Sequence, residues 1–386
     1  MTIELPLIRA FLDPMHHELC GNASTWAQRR IATLPPQHQD GPAREQAREL
    51  VSILGEEDWL SHAMPRTDLR ACVMLREILA YQSPLADSVF ALQCLGSMPL
   101  VIAGSEAQKS QWLDDVLQGR AMAAFAMTEP DAGSDVASMK TTAVRDGDHY
   151  VLNGEKHLIT NAGVADFYST FAVTDPDAGS RGLTCFLIPA DTQGLIFDAP
   201  QVLSEPHPLG RLRFESCRVR SDQVLGTVGK GFHIGMATLD RLRPTVAGAA
   251  CGMAKRALDE AVHHARTRHQ FGKRLADQPI IQSKLAEMAI QLAAARLLVY
   301  RSAWEKDRGT ARITTEAAMG KAYATEAAQR IIDQAVQIHG GRGVLMDSMV
   351  DRLYRAIRPL RIYEGATEVQ HLIIAKELLK AADMAG

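Results

Sequence analysis

The chain has 386 residues, is 46% apolar and 23% charged, and carries a net charge of −3 at neutral pH. That length exceeds what a single hydrophobic core fills, so two or three domains are expected. The mildly acidic balance leaves no overall basic footprint for nucleic acid.

Cys20, Cys72, Cys94, Cys185, Cys217 and Cys251 are scattered, without CxxC or Cys/His ligand spacing. They read as buried thiols in a reducing compartment, with neither disulfides nor a metal implied. The opening MTIELPLIRAFLDPMHHE carries acids early and is not expected to be a signal peptide. No stretch is expected to reach the ~18 apolar residues that cross a bilayer. A cytoplasmic protein is the expectation.

In chain order, the first 120 or so residues read as helices: GPAREQARELVSILGEEDWL, then LRACVMLREILAYQSPLADSVFALQCL as one run, then SEAQKSQWLDDVLQG with Ser105 placed to cap it. From about 122 to 228 short β-rich segments follow, RDGDHYVLNGEKHLIT, FYSTFAVTD, GLTCFLIPA and LRFESCRVR. Asp146-Gly147 and Asn153-Gly154 both read as hairpin turns. Beyond 229 the pattern returns to helices over 232–267, 279–308 and 311–339, rich in alanine and interrupted only by Pro244. Such stripes favour close helix packing in a four-helix bundle. The expected fold class is α+β in segregated blocks: an N-terminal helical domain (1–121), a middle β-barrel-like domain (122–228) and a C-terminal bundle (229–386).

Three stretches carry chemistry-bearing residues. EPDAGSD (129–135) is a turn in which Pro130 presets φ and Gly133 permits φ > 0, and which presents amides and hydroxyls able to hold a polar ring or a phosphate. NGEKHLITNAG (153–163) reads as a hairpin arm with Thr160 as a side-chain donor. RIYEGATEVQ (361–370) holds Glu364 just before a helix start, where acids are common, so from these residues alone it reads first as a loop acid.

Taken in order and at their spacing, GSEAQKSQWL, MTEPDAGSD, NGEKHLIT, TRHQFGKRL, LAEMA, QIHGGRG and RIYEGATEVQ resemble the acyl-CoA dehydrogenase family of flavoproteins over most of the chain. The resemblance implies FAD as cofactor, an acyl thioester as substrate, a role in fatty acid metabolism, an electron-transfer flavoprotein as acceptor and a homodimer or homotetramer. It implies that Phe125, Met127, Thr128 and Ser134 line the flavin and thioester, with Leu158 and Thr160 on the other side of the ring. Arg268 and the segment with Gln337, Gly340 and Gly341 would reach the FAD of a neighbouring subunit, and Gln270, Phe271, Gln278, Ala366 and Glu368 would also lie at the cofactor. Asp240 and Arg243 match a DxxR near the CoA moiety, although an i, i+3 ion pair on a helix face is an equal reading. With Ser134 and Gly365 they form the implied substrate set.

In this family a carboxylate removes the proton α to the thioester while hydride leaves the β carbon for flavin N5. The resemblance assigns that base to Glu364. The alternative position, just before the arginine of DxxR, is Leu242, which cannot ionise.

Several positions depart from the family pattern. Leu158 stands where a tryptophan is usual, Pro279 where a glutamine is usual (with Gln278 beside it), and Ala366 where a hydroxyl residue is usual. LSEPHPLGRLRFE (203–215) loses the usual arginine and brings in Glu205 and His207. These changes keep alternatives open: an unusual acyl group, a thioester on an acyl carrier protein, an oxidase, or a nucleic-acid-associated relative that the net charge disfavours.

Overall fold

The computed structural model describes residues 3–385. Six helices come first: α1 (Leu5–Ile8), α2 (Pro14–Arg30), α3 (Asp40–Glu56), α4 (Leu69–Gln82), α5 (Pro84–Ala103) and α6 (Glu106–Leu117). The strands follow: β1 (Ala123–Ala126), β2 (Thr142–Asp146), β3 (His149–Thr160), β4 (Phe167–Val173), β5 (Leu183–Pro189), β6 (Leu195–Pro200), β7 (Leu209–Arg220) and β8 (Val224–Leu225). The helices α7 (Gly231–Thr267), α8 (Pro279–Asp307), α9 (Thr314–His339), α10 (Met349–Leu360) and α11 (Thr367–Ala385) complete the chain, with a small ribbon β9 (His269–Gln270) and β10 (Lys273–Arg274) between α7 and α8. The helix, sheet, helix order expected from sequence is the order observed.

Local chemistry explains most element ends. Ser105 caps α6 in a reciprocal box, its hydroxyl accepting from Gln108 N at 3.2 Å while Gln108 Oε1 accepts from Ser105 N at 2.8 Å. Asp146 and His149 pair across a two-residue turn in which Gly147 has φ +63°.

Three expectations need correction. The run 69–95 is two helices, because Pro84 lacks an amide donor and starts α5 after an extended Ser83. Asn153-Gly154 is no hairpin turn but an irregularity within β3, where the register against β7 shifts between Leu152 and Gly154. There Asn153 Oδ1 accepts from Ser216 N at 2.8 Å, and a Cβ on Gly154 would lie 2.7 Å from Thr141. Finally, α5 is long and apolar enough to cross a membrane by length and composition, contrary to expectation. Most of it is buried, and it carries the buried Asp87, Gln93 and Ser97.

The chain divides into two compact units, one built from residues 37–67 and 88–241, the other from residues up to 36, 68–87 and from 242 onward. In the first unit the sheet runs β6-β7-β3-β2-β4-β5-β8, with β1 added parallel to β4. Its core is a cluster including Tyr150, Leu152, Ile159, Phe186, Leu212 and Phe214. In the second unit α9 packs against α8, α10 and α11, and α4 against α2 and α8. Glycines let α7 approach α4: a Cβ on Gly248 would lie 2.6 Å from Val73 O, and one on Gly252 would collide with Glu77 O. All six cysteines are buried, and none is in a disulfide.

Candidate active site

Glu364 lies in the turn joining α10 to α11. The chain leaves α10 through Tyr363 N, which donates to Pro359 O at 3.0 Å, and Thr367 N closes the turn on Arg361 O at 3.1 Å. Between them Glu364 adopts φ +51° and Gly365 φ +94°. A left-handed backbone is cheap for glycine and unfavourable for glutamate, so Glu364 must be held there by its surroundings. The holding groups are visible. Lys321 Nζ, from α9, donates to Tyr363 O at 3.0 Å and to Gly365 O at 2.6 Å. Gln370 Nε2, from α11, donates to Gly365 O at 2.9 Å and Glu364 O at 3.5 Å, and Arg243 Nε approaches Glu364 O at 3.4 Å.

The side chain of Glu364 is half-buried, and its Oε2 is buried without a hydrogen-bond partner. Burial raises its carboxyl above the ordinary range, while the positive charges of Arg76, Lys321 and Arg243 oppose that rise. Arg76, on α4, is fully buried; it forms a bidentate pair with Asp87 at 2.7 and 2.9 Å and donates to Thr245 Oγ1 at 3.1 Å. Burial works against its charge and Asp87 restores it. Lys321 is also fully buried, and desolvation pulls its ammonium down to about 8. Leu242 is buried on α7 and offers no competing carboxylate.

The sheet unit holds the other group of predicted residues. Phe125 lies in β1, Met127 and Thr128 enter the turn, and Leu158 and Thr160 lie on β3. The two segments are clamped together: Lys156 Nζ donates to Met127 O at 3.1 Å and to Glu129 Oε1 at 2.7 Å, and His157 N donates to Thr128 O at 2.8 Å. Burial brings Lys156 down to about 8. Glu129 is held below its ordinary range because Lys156 and the amides of Lys140 and Thr141 outweigh its burial. Leu158 takes φ +54°, is half exposed, and donates its amide to Gln201 Oε1 at 2.7 Å. The hydroxyls of Thr128, Ser134 and Thr160 take no hydrogen bond from or to any described residue. Such a free donor set beside an ordered turn suits a polar heterocycle.

The remaining predicted residues are dispersed. Arg268, Gln270 and Phe271 form an exposed arm ending in the β9–β10 turn, where Phe271 is 94% exposed with φ +53°. Gln278 precedes Pro279 at the start of α8. Gln337 lies in the last turn of α9, and Gly340, with φ +60°, and Gly341 follow it, exposed. Ser134 and Asp240 are exposed, Ala366 is partly buried beside Glu364, and Glu368 is exposed in the first turn of α11. Arg243 is buried and meets the backbone of Glu364, which is not the place of a solvated helix-face charge.

Sequence reasoning missed Arg76, Asp87, Lys156, Glu129, Gln201 and Lys321. One signal was available: charges inside apolar helical runs, such as Arg76 within ACVMLREILA, are almost never buried without a partner.

The fold is one of helical, sheet and helical domains, with a half-buried carboxylate on a left-handed turn of the last of them. Family descriptions match along the chain: acyl-CoA dehydrogenase, N-terminal domain over residues 13–120, middle domain over 124–217 and C-terminal domain over 229–379. The chain is 37% identical over 311 residues to a probable acyl-CoA dehydrogenase of Mycobacterium bovis, covering 80% of each. It is 36% identical over 379 residues to a 3-(aryl)acrylate reductase of Clostridium sporogenes, covering 96% of this chain and all of that one. The structure of butyryl-CoA dehydrogenase from Megasphaera elsdenii superposes with a TM-score of 0.88 at 33% identity, over 95% of this chain and 99% of that one. The chain belongs to the acyl-CoA dehydrogenase family.

Proposed function

We propose that the protein catalyses FAD-dependent α,β-dehydrogenation of an acyl thioester, with Glu364 taking the α-proton. The observation that carries this reading is the Glu364 carboxylate itself, buried at Oε2, unpartnered, and held on a left-handed turn by side chains from three helices. A carboxylate stripped of water and lacking a hydrogen-bond donor is a stronger base than one in solution. The positive charges of Arg76, Lys321 and Arg243 oppose the rise that burial causes and favour its ionised, proton-accepting form. Its amide N–H is taken by no described residue and is free to meet a thioester oxygen, which acidifies the α-carbon.

FAD, when bound, supplies the hydride acceptor. Phe125, Met127, Thr128, Ser134, Leu158 and Thr160 would hold its ring. Gln278, Ala366 and Glu368 would add contacts, and Gln337, Gly340, Gly341 and the exposed arm of Arg268, Gln270 and Phe271 would serve the cofactor of a second subunit in a homodimer or homotetramer. Arginine suits the pyrophosphate because its charge is permanent and its fork bidentate. Asp240, Arg243 and Gly365 would contact the thioester. An electron-transfer flavoprotein in the cytoplasm would take up the electrons.

A second reading concerns the acyl group. The half-exposed Leu158, the buried Glu205 and His207, whose imidazole burial brings down to about 4, sit where the family pattern is broken. They favour an unusual acyl group, and the relative named for aryl acrylates is in keeping with that.

The test is anaerobic: purified protein mixed with straight-chain acyl-CoAs, arylpropionyl-CoA and carrier-bound thioesters. Bleaching of the flavin with formation of the enoyl thioester is expected. Rapid turnover of simple straight-chain acyl-CoAs alone overturns the second reading, and bleaching by none of the panel overturns the first.

A further inference from the structure

Resting on the assignment of Glu364 as base, we propose that Lys321 is a positioning residue for the reaction: it pins the two peptide carbonyls that bracket Glu364, so that the carboxylate is held on its left-handed turn, and it leaves its charge facing that carboxylate. The geometry is specific. One ammonium spans Tyr363 O at 3.0 Å and Gly365 O at 2.6 Å, skipping the residue between them. Lys321 lies on the ninth helix, more than forty residues before the turn, and is fully buried. A lysine buried without an ion pair is costly, and burial alone would favour a methionine or leucine here. Among the described residues Lys321 makes no ion pair; both of its hydrogen bonds go to this turn.

The charged and titratable groups that act on the Glu364 carboxylate are Arg76 from α4, Asp87 from α5, Arg243 from α7, Lys321 from α9 and Tyr363 from the turn itself, while Gln370 from α11 meets only the backbone of the turn. Glu326 and Glu368 act on Lys321 in turn. Arg76 is already committed to Asp87 and Thr245. Lys321, bonded only to neutral carbonyls, has no counter-ion to cancel its positive charge, and the charge acts on Glu364. Removing that charge makes the carboxylate easier to protonate, so the pH below which the base is lost must rise.

The experiment compares Lys321→Met, Lys321→Gln and Glu364→Gln with the parent holoenzyme, using thioester-driven flavin reduction across pH, thioester affinity, flavin content and thermal unfolding. In Lys321→Met the acid limb of the reduction rate is expected to move about one pH unit upward, with reduction slowed at least about tenfold and thioester affinity unchanged. Lys321→Gln, which keeps a donor but no charge, should show the same shift in the limb with a smaller loss of rate. Glu364→Gln separates the two assignments. If it still reduces flavin, the base assignment fails. If it does not, and the Lys321 variants keep the parent limb and rate, the positioning role alone is overturned. Loss of flavin and of cooperative unfolding in both Lys321 variants would place the lysine in the fold, not the site, and also overturns it.

Discussion

Two buried lysines divide the labour of this molecule. Lys156 in the sheet unit and Lys321 in the helical unit are both fully desolvated, and both ammonium groups are pulled down to about 8. Lys156 closes on a carboxylate, Glu129, at 2.7 Å. Lys321 closes on two carbonyl oxygens. In the first case the charge is neutralised locally and the product is a rigid crossing between the 127–129 turn and β3. In the second the charge is left over, and the acid that acts on it most strongly is Glu364. The same residue type thus clamps two segments in one unit and leaves an unpaired charge near Glu364 in the other, and the difference lies in what accepts the hydrogen bond.

The largest losses are expected where a buried ion pair is cut. Arg76→Met leaves Asp87 buried without its partner, which should destabilise the protein by about 3–5 kcal/mol in denaturant unfolding and raise the pH at which Glu364 is protonated. Lys156→Met strands Glu129 in the same way, with a loss of similar or slightly smaller size, and should release flavin because the turn carrying Thr128 is no longer tied to β3. Retained flavin in Lys156→Met would mean that the clamp is not what shapes the platform. Gly365→Ala is milder in stability, about 1–2 kcal/mol, because φ +94° disfavours a side chain and a methyl there would collide with Gln370 Nε2. Its effect should fall on the reduction rate, with flavin content intact, as measured by rapid mixing.

Much of the architecture was legible before the structure. The Ser105 box, the Gly147 turn and the long alanine-rich helices are local features, written in neighbouring residues. The departures are local too: Pro84 breaks the helical run after Ser83, and Asn153-Gly154, a turn by its residues alone, sits in an irregular stretch of β3 beside Thr141 and Ser216. The site was legible only in part. Glu364 and Arg243 stood out through family resemblance, and the structure brings them together. Lys321 and Arg76 did not, because their roles depend on carbonyls and carboxylates brought in by chain folding, at separations such as Lys321 to Gly365 that no local pattern records. A lysine in an alanine-rich helix looks like a solvated face until its partners are seen.

As the proposed base, Glu364 owes that role to its buried setting. Substituting glutamine keeps shape and volume and removes only the ionisable oxygen. In anaerobic rapid mixing with a good thioester, Glu364→Gln holding its full complement of flavin should be reduced at least about a thousandfold more slowly than the parent enzyme. The parent's rate should fall as pH drops through the raised carboxyl value, and the variant should show no such limb. Reduction of the variant near the parental rate would contradict the account.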